Sequence, residues 1–273
     1  MGEVTRRAAV LGSPIDHSLS PVLHTAGYEA AGLEGWEYTR IRCEADDLPR
    51  IVGGADATFR GFSVTMPCKF AALDFADEVT PRAREVGSAN TLTRIDDLRW
   101  RADNTDTEGA LVALRELLGL ARVTEPQRAV MVGAGGSARA VFWALRELGI
   151  REITVVNRSD RSDEYAELAS GIAMQFLGFD TDPEIIKAAA MDADVVASTV
   201  PPQVPGVLAS CLGHAPLFDA IYDPWPTPLA THAASNGYPT VGGLAMLAGQ
   251  AYSQFEQFTG VQAPREAMRA ALR

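Results

Sequence analysis

Residues 128–149 read RAVMVGAGGSARAVFWALRELG, and this stretch decides the fold. Ala129 to Val132 form a short apolar run, the kind expected of a strand buried on both faces of a parallel sheet. Gly133, Gly135 and Gly136 interrupt it, and from there Ala138, Val141, Phe142 and Leu145 recur at helical spacing. A strand, a glycine turn and an amphipathic helix in direct succession open a dinucleotide-binding unit. Glycine lets a pyrophosphate approach the backbone, and the helix N-terminus presents N–H groups and partial positive charge. Gly133, Ala134, Gly135, Gly136 and Ser137 are therefore expected to face the phosphates of a cofactor. A glycine turn needed only for packing is the plainer alternative.

The next strand, Ile153 to Val156, carries the choice of cofactor at its end. An NAD site places Asp or Glu there, ~20 residues beyond the glycines, to hold the ribose 2′-hydroxyl. Here the position holds Asn157, followed by Arg158, Ser159 and, after Asp160, Arg161. A missing carboxylate with cations nearby suits a 2′-phosphate, which arginine grips with paired hydrogen bonds. NADP is the cofactor this favours. Asp160 and Asp163 pull the other way, and Arg158 and Arg161 could be no more than solvated loop charges.

Outward from this unit, apolar strand-like runs alternate with helical segments along the chain, the pattern of an α/β protein. Asp194 to Ser198 and Leu217 to Ala220 continue the doubly wound nucleotide fold. Upstream, strands are expected at Ala8 to Leu11, Trp36 to Arg42, Gly61 to Val64 and Thr91 to Ile95, with helices at Val22 to Ala31 and Lys69 to Phe75. Asp96-Asp97 reads as a hairpin turn. A helix from Asp106 to about Leu118 leads into a linker, Gly119 to Arg128, that contains Pro126. After Val241-Gly242-Gly243 a long helix covers Leu244 to about Thr259, and another follows Pro264. The expected division is residues 1–106, completed by the helices of 243–273, and a Rossmann-type domain over 107–242.

The chain has 273 residues, room for two such domains. Its 24 Lys and Arg against 35 Asp and Glu give a net charge of -11, which argues against a broad nucleic-acid or anionic-membrane surface. Any anionic ligand must then be met by a few placed groups. No apolar run reaches the ~18 residues of a membrane span. The apolar stretch near the N-terminus, Ala8 to Leu11, is too short for a signal-peptide core, so a cytoplasmic protein is expected. Cys43, Cys68 and Cys211 are odd in number and lie far apart in sequence, which supports neither a disulfide framework nor a zinc site, and no metal is expected. His17 is read as structural rather than catalytic, and His24, His214 and His232 look like helix or loop residues without partners.

Polar clusters fall where the first half has strand ends and loops. They are Ser18-Leu19-Ser20-Pro21, Gly61-Phe62-Ser63-Val64-Thr65-Met66-Pro67-Cys68-Lys69, Ser88-Ala89-Asn90-Thr91 and Asp103-Asn104-Thr105-Asp106. Taken singly, Ser20 before a proline reads as an ordinary helix N-cap, and so does one aspartate of the last cluster. Taken together with GAGGSAR, NRS, DAIY at Asp219 to Tyr222 and GLAML-x-x-Q at Gly243 to Gln250, they occur in an order that resembles shikimate dehydrogenase.

The resemblance implies an N-terminal substrate-binding domain, a C-terminal NADP-binding Rossmann domain and an active site in the cleft between them. It implies that Ser18, Ser20 and Tyr222 hold the substrate carboxylate, that Thr65, Asn90 and Gln250 bind ring hydroxyls, and that Lys69 and Asp106 form the catalytic pair. Gly243, with Asn157, Arg158 and Ser159, falls to the cofactor. Such chemistry needs a group that takes the hydroxyl proton as hydride leaves, and returns it in reverse. The implied activity is NADPH-dependent reduction of 3-dehydroshikimate to shikimate, in the biosynthesis of chorismate and aromatic amino acids, by a monomer or homodimer. A quinate/shikimate dehydrogenase using NAD is the rival enzyme. A non-catalytic nucleotide-sensing module with the same fold is the rival of another class, and it predicts decay of Lys69 and Asp106, which are both present.

Overall fold

The computed structural model describes residues 4–201 and 206–272. By contact density the chain divides into two compact units, Met1–Asp106 with Leu247–Arg273, and Thr107–Met246.

The first unit runs β1 (Arg6–Gly12), α1 (Ser20–Ala30), β2 (Trp36–Arg42), α2 (Leu48–Gly53), β3 (Phe59–Val64), α3 (Lys69–Phe75), β4 (Glu78–Val79), α4 (Pro81–Val86), β5 (Thr91–Arg94) and β6 (Trp100–Asp103). Its sheet has the order β2-β1-β3-β5-β6-β4. β1 is parallel to both β2 and β3, as alternating strands and helices suggest. The β5–β6 hairpin around Asp96-Asp97 instead inserts antiparallel, β3 against β5 and β5 against β6, so this sheet is mixed. The reason is local: a short turn can join only antiparallel neighbours, whereas a parallel neighbour needs a crossover. Ala9, Leu11, Phe62, Leu92 and Trp100 fill the core on one face at 0–1% exposure.

α5 (Asp106–Ala121) leads into the second unit, followed by β7 (Arg128–Val132), α6 (Gly136–Glu147), β8 (Glu152–Asn157), α7 (Ser162–Tyr165), β9 (Ala173–Gly178), α8 (Pro183–Met191), β10 (Val195–Ser198), α9 (Gly206–Leu212), β11 (Leu217–Asp219), α10 (Pro228–Ser235) and β12 (Thr240–Gly242). The sheet order is β12-β11-β10-β7-β8-β9, with every neighbouring pair parallel. This is the doubly wound arrangement, and the strand order reverses between β7 and β10, where such folds bind their ligands. β9 and β12 had no clear sequence signal. β9 leaves Ala173 and Gln175 exposed at a sheet edge, and β12 has only three residues.

α11 (Gly243–Thr259) and α12 (Arg265–Ala270) close the chain, and residues from Leu247 onward group with the first unit. Cys43, Cys68 and Cys211 are free and buried. His24 has a ring partner after all. It is fully buried and stacks on Tyr38 with centroids 4.2 Å apart and planes at 12°, and burial lowers its pKa to about 3. His214 and His232 meet edge to face at 6.0 Å.

Candidate active site

Three of the four polar clusters, far apart in sequence, meet through backbone bonds before any side chain is considered. Ala89 N donates to the Lys69 carbonyl at 3.0 Å, Asn90 N to the Asp103 carbonyl at 3.1 Å, and Val64 N to the Asn90 carbonyl at 2.7 Å. Thr65 N donates to the Leu11 carbonyl at 2.8 Å, so the loop after β3 lies against the end of β1. The approach is close: a Cβ on Gly12 would sit 2.4 Å from Thr65 Cγ2 and 2.8 Å from the Met66 carbonyl oxygen. Glycine is required there by space.

On this frame the side chains of Lys69, Asp106, Asn90 and Gln250 converge. Lys69, at the first turn of α3, bonds through Nζ to Asp106 Oδ2, with side-chain exposures of 13% and 3%. The Asn90 amide donates one hydrogen to Asp106 Oδ1 at 2.9 Å and the other to Gln250 Oε1 at 2.8 Å. Asn90 Oδ1 accepts from Thr105 N at 2.7 Å, from Thr105 Oγ1 at 3.1 Å and from Thr91 Oγ1 at 3.0 Å. With donors on one side and acceptor capacity filled on the other, the orientation of this amide is fixed. An ion pair with one nearly buried partner and one partly open partner can exchange a proton with a ligand at the open end.

The serine segment is held differently from an N-cap. The cap position of α1 is Leu19, and it makes no side-chain capping bond; Ser20 is the first helical residue. Ser18 Oγ accepts from Ser20 N at 3.3 Å, which leaves the Ser18 hydroxyl hydrogen available. The Arg40 guanidinium fixes the Ser18 carbonyl with two bonds, 3.0 and 2.6 Å. Asp103 is spent on structure. It accepts from Thr80 Oγ1 and Gln257 Nε2, both at 2.7 Å, from Asn104 N at 2.8 Å and from Arg82. Burial opposes its ionisation, but Arg82 and these donors outweigh burial and hold its pKa below the usual carboxylate value.

Tyr222 lies in the second unit, in a loop pinned by Asp219, whose carboxylate accepts from Thr227 Oγ1 at 2.7 Å and Ile221 N at 3.2 Å. Burial raises the Tyr222 phenol pKa.

The glycine turn follows β7. Gly133 has φ +99°, and a Cβ there would meet Thr199 Oγ1 at 2.7 Å. Gly135 caps α6 without any side-chain bond, the first turn carries no acidic residue, and a Cβ on Gly135 would point into open space. An uncapped helix end with room above it fits a dinucleotide phosphate. At the end of β8, Asn157 Nδ2 donates to the Ser159 carbonyl at 2.8 Å, and Arg158 is exposed. Asp160 is turned to its own loop, accepting from Ser162 N at 2.8 Å. Arg161 reaches the glycine turn itself, donating to the Ala134 carbonyl at 3.1 Å while pairing with Glu164 at 2.9 Å. Gly243, at the start of α11, lies so close to Ala220 that a Cβ would be 2.0 Å from its carbonyl oxygen. Among the described residues no group of His, Cys, Asp and Glu could hold a metal ion, and no helix is long and apolar enough to cross a membrane.

The family described as shikimate dehydrogenase substrate binding domain matches residues 10–92, and the one described as shikimate 5′-dehydrogenase C-terminal domain matches residues 243–273. A shikimate dehydrogenase (NADP(+)) of Methylobacterium radiotolerans is 37% identical over 95% of this chain and 93% of its own length. The chain belongs to the shikimate dehydrogenase family. Among solved shikimate dehydrogenases, that of Mycobacterium tuberculosis is 49% identical with a TM-score of 0.88, covering 98% of both chains. That of Thermus thermophilus, solved in complex with NADP(H) and shikimate, is 30% identical with a TM-score of 0.81, covering 97% of this chain and 98% of its own. In this member of the shikimate dehydrogenase family, motif reading passed over Tyr38 and Gln254, and it gave no role to Ser63, Thr91 and Thr105 within the clusters it named. Gln254 had a signal: with Gln250 and Gln257 it forms an i, i+4, i+7 row of glutamines along one face of the helix.

Proposed function

We propose that the chain catalyses the reversible NADPH-dependent reduction of 3-dehydroshikimate to shikimate, the reaction that serves chorismate and aromatic amino acid biosynthesis. The observation that carries this reading is the Lys69–Asp106 pair, fixed by Asn90 and open at the lysine end. Bound NADPH would supply the hydride. Lys69 Nζ then gives a proton to the ketone oxygen as the carbon is reduced, and in the oxidative direction the pair takes the hydroxyl proton back. Asp106 orients the ammonium, and Asn90 orients Asp106. Thr65, Asn90 and Gln250 bind ring hydroxyls. Ser18 and Ser20 hold the carboxylate with hydroxyl donors, and Tyr222 is assigned to that end on the family resemblance. Gly133, Ala134, Gly135, Gly136 and Ser137 would take the pyrophosphate at the N-terminus of α6. Asn157, Arg158 and Ser159 would take the 2′-phosphate, and Gly243 the cofactor's other end. We assign residues 1–106 with the C-terminal helices to substrate and 107–242 to cofactor, in a cytoplasmic monomer or homodimer.

Nicotinamide absorbance, with shikimate or quinate crossed against NADP⁺ or NAD⁺, tests the reading. Turnover should be fastest with shikimate and NADP⁺. No turnover of shikimate with either cofactor would refute the activity, and faster turnover of quinate with NAD⁺ would establish the rival.

A further inference from the structure

Two glutamines one helical turn apart on α11 bracket Asn90. Gln250 Oε1 accepts from the Asn90 amide at 2.8 Å, beside the bond from that amide to Asp106. Gln254 meets Asn90 from the backbone side: its Nε2 donates to the Asn90 carbonyl and to Thr91 Oγ1, both at 3.1 Å. A carbonyl can only accept, so the nitrogen of the Gln254 amide must lie on this side, and its Oε1 faces the Ser63 hydroxyl at 2.7 Å. Ser63 therefore donates to Gln254, and its oxygen takes the hydrogen of Tyr38 Oη at 2.6 Å. At the other end Gln254 fills a lone pair of Thr91 Oγ1, which leaves the Thr91 hydrogen for Asn90 Oδ1 at 3.0 Å or for Thr105 Oγ1 at 3.1 Å. Thr105 Oγ1 itself bonds to Asn90 Oδ1 at 3.1 Å, so every arrangement of the two hydroxyls delivers hydrogen onto that one oxygen. Tyr38, Ser63, Gln254, Thr91, Thr105 and Asn90 are all buried, and none can exchange its partner for bulk water.

We infer that Gln254 is a positioning residue for the Lys69–Asp106 pair, acting through Thr91 and Asn90. The inference rests on the dehydrogenase reading of that pair. Asp106 Oδ1 is held by the Asn90 amide, and the amide keeps its aim only while its own oxygen is held in place. Gln254 secures Asn90 twice, at the main-chain carbonyl that also accepts from Val64 N and at the side-chain oxygen by way of Thr91. A donor that enters a chain of hydrogen bonds polarises the bonds beyond it, so the Thr91 bond to Asn90 is stronger for the Gln254 bond behind it. Without Gln254 no buried donor sets the Thr91 hydroxyl, and the Asn90 amide gains room to shift against Asp106 and against the ring hydroxyl assigned to it. Small displacements of this kind cost activity, because the reacting groups must meet at contact geometry.

Gln254→Met keeps the length of the side chain and removes both of its hydrogen-bonding groups. We expect kcat/KM for shikimate to fall about five- to tenfold, the size of one lost hydrogen bond, with a rise in KM for shikimate contributing and KM for NADP⁺ unchanged. A role in stability alone would reduce the folded fraction and leave KM for shikimate as it is. Asn90→Ala should cost more, and adding Gln254→Met to Asn90→Ala should change nothing further. If Gln254→Met costs the same factor in both backgrounds, costs nothing in the wild type, or leaves KM for shikimate unchanged, the inference fails while the reading of the pair stands. An unchanged kcat/KM in Asn90→Ala would also overturn it, whereas absence of shikimate turnover in the wild type is the separate failure of the dehydrogenase reading. Should a variant at 254 or 90 not fold by circular dichroism, Thr91→Val is compared with Thr91→Ser. The first removes the hydroxyl and the second keeps it, so only Thr91→Val should lose about five- to tenfold in kcat/KM. Equal losses, or no loss in Thr91→Val, would overturn the inference.

Discussion

Asn90 donates to Asp106 Oδ1 at 2.9 Å, on the carboxylate oxygen opposite the one that meets Lys69. The same amide group accepts through its oxygen from Thr105 N, one residue before Asp106 in the chain, so a single side chain sets both the backbone and the carboxylate of the pair. Asn90→Ala removes all of these bonds inside a site where Asn90 is 1% exposed. Buried groups left without partners cost about 1–3 kcal/mol each. The variant should lose about 2–4 kcal/mol in urea unfolding and more than tenfold in kcat/KM. Full activity with full stability would show that Asp106 is held by other means.

Lys69→Ala should lower kcat by about 10²- to 10⁴-fold, the usual weight of a positioned proton donor, while shikimate still binds. Steady-state assays at saturating NADP⁺, with shikimate binding measured separately by calorimetry, separate the two effects. An unchanged kcat would remove Lys69 from the chemistry.

Asp103 predicts how stability depends on pH. Its folded pKa is depressed by Arg82, Thr80 and Gln257 against the opposing effect of burial. A depressed carboxylate adds stability that is complete above its unfolded value, near 3.9, and disappears as pH falls through the folded value. Asp103→Asn has no such ionisation. The stability gap between wild type and variant should therefore be widest near neutral pH and should narrow below about pH 4 in denaturant titrations. A gap independent of pH would mean that the Arg82 contact is not stabilising through charge.

The doubly wound unit was legible because its signals are local: Gly133 to Gly136 end a strand and open a helix within a few residues, and Asn157 marks the next strand's end. Lys69, Asp106, Asn90 and Gln250 were legible only as members of ordered motifs, since nothing local says that residues 37 and 160 positions apart will bond. What stayed hidden was pairing over longer range. Tyr38 looks like any half-polar strand residue until β2 lies beside β1. Arg82 shows no sign of its partner until β4 pairs with β6 and brings the start of α4 to Asp103. Ser20 misled in the other direction. Its serine-proline pair favours a helix cap, yet the helix starts one residue early and frees the hydroxyl.

The two arginines after β8 should separate the 2′-phosphate from the pyrophosphate. Arg158 is exposed and makes no bond that ties it to the glycine turn, whereas Arg161 donates to the Ala134 carbonyl within that turn. A charge-assisted bond to phosphate is worth about 1.5–3 kcal/mol, so Arg158→Ala should raise KM for NADP⁺ by about 10- to 100-fold and leave KM for NAD⁺ nearly unchanged. Arg161→Ala loosens a contact on the pyrophosphate loop common to both cofactors, and should raise both KM values by similar factors. Measuring each variant with each cofactor at saturating shikimate distinguishes the roles. If Arg158→Ala weakens NAD⁺ as much as NADP⁺, Arg158 does not read the 2′-phosphate; if Arg161→Ala affects NADP⁺ alone, the two assignments exchange.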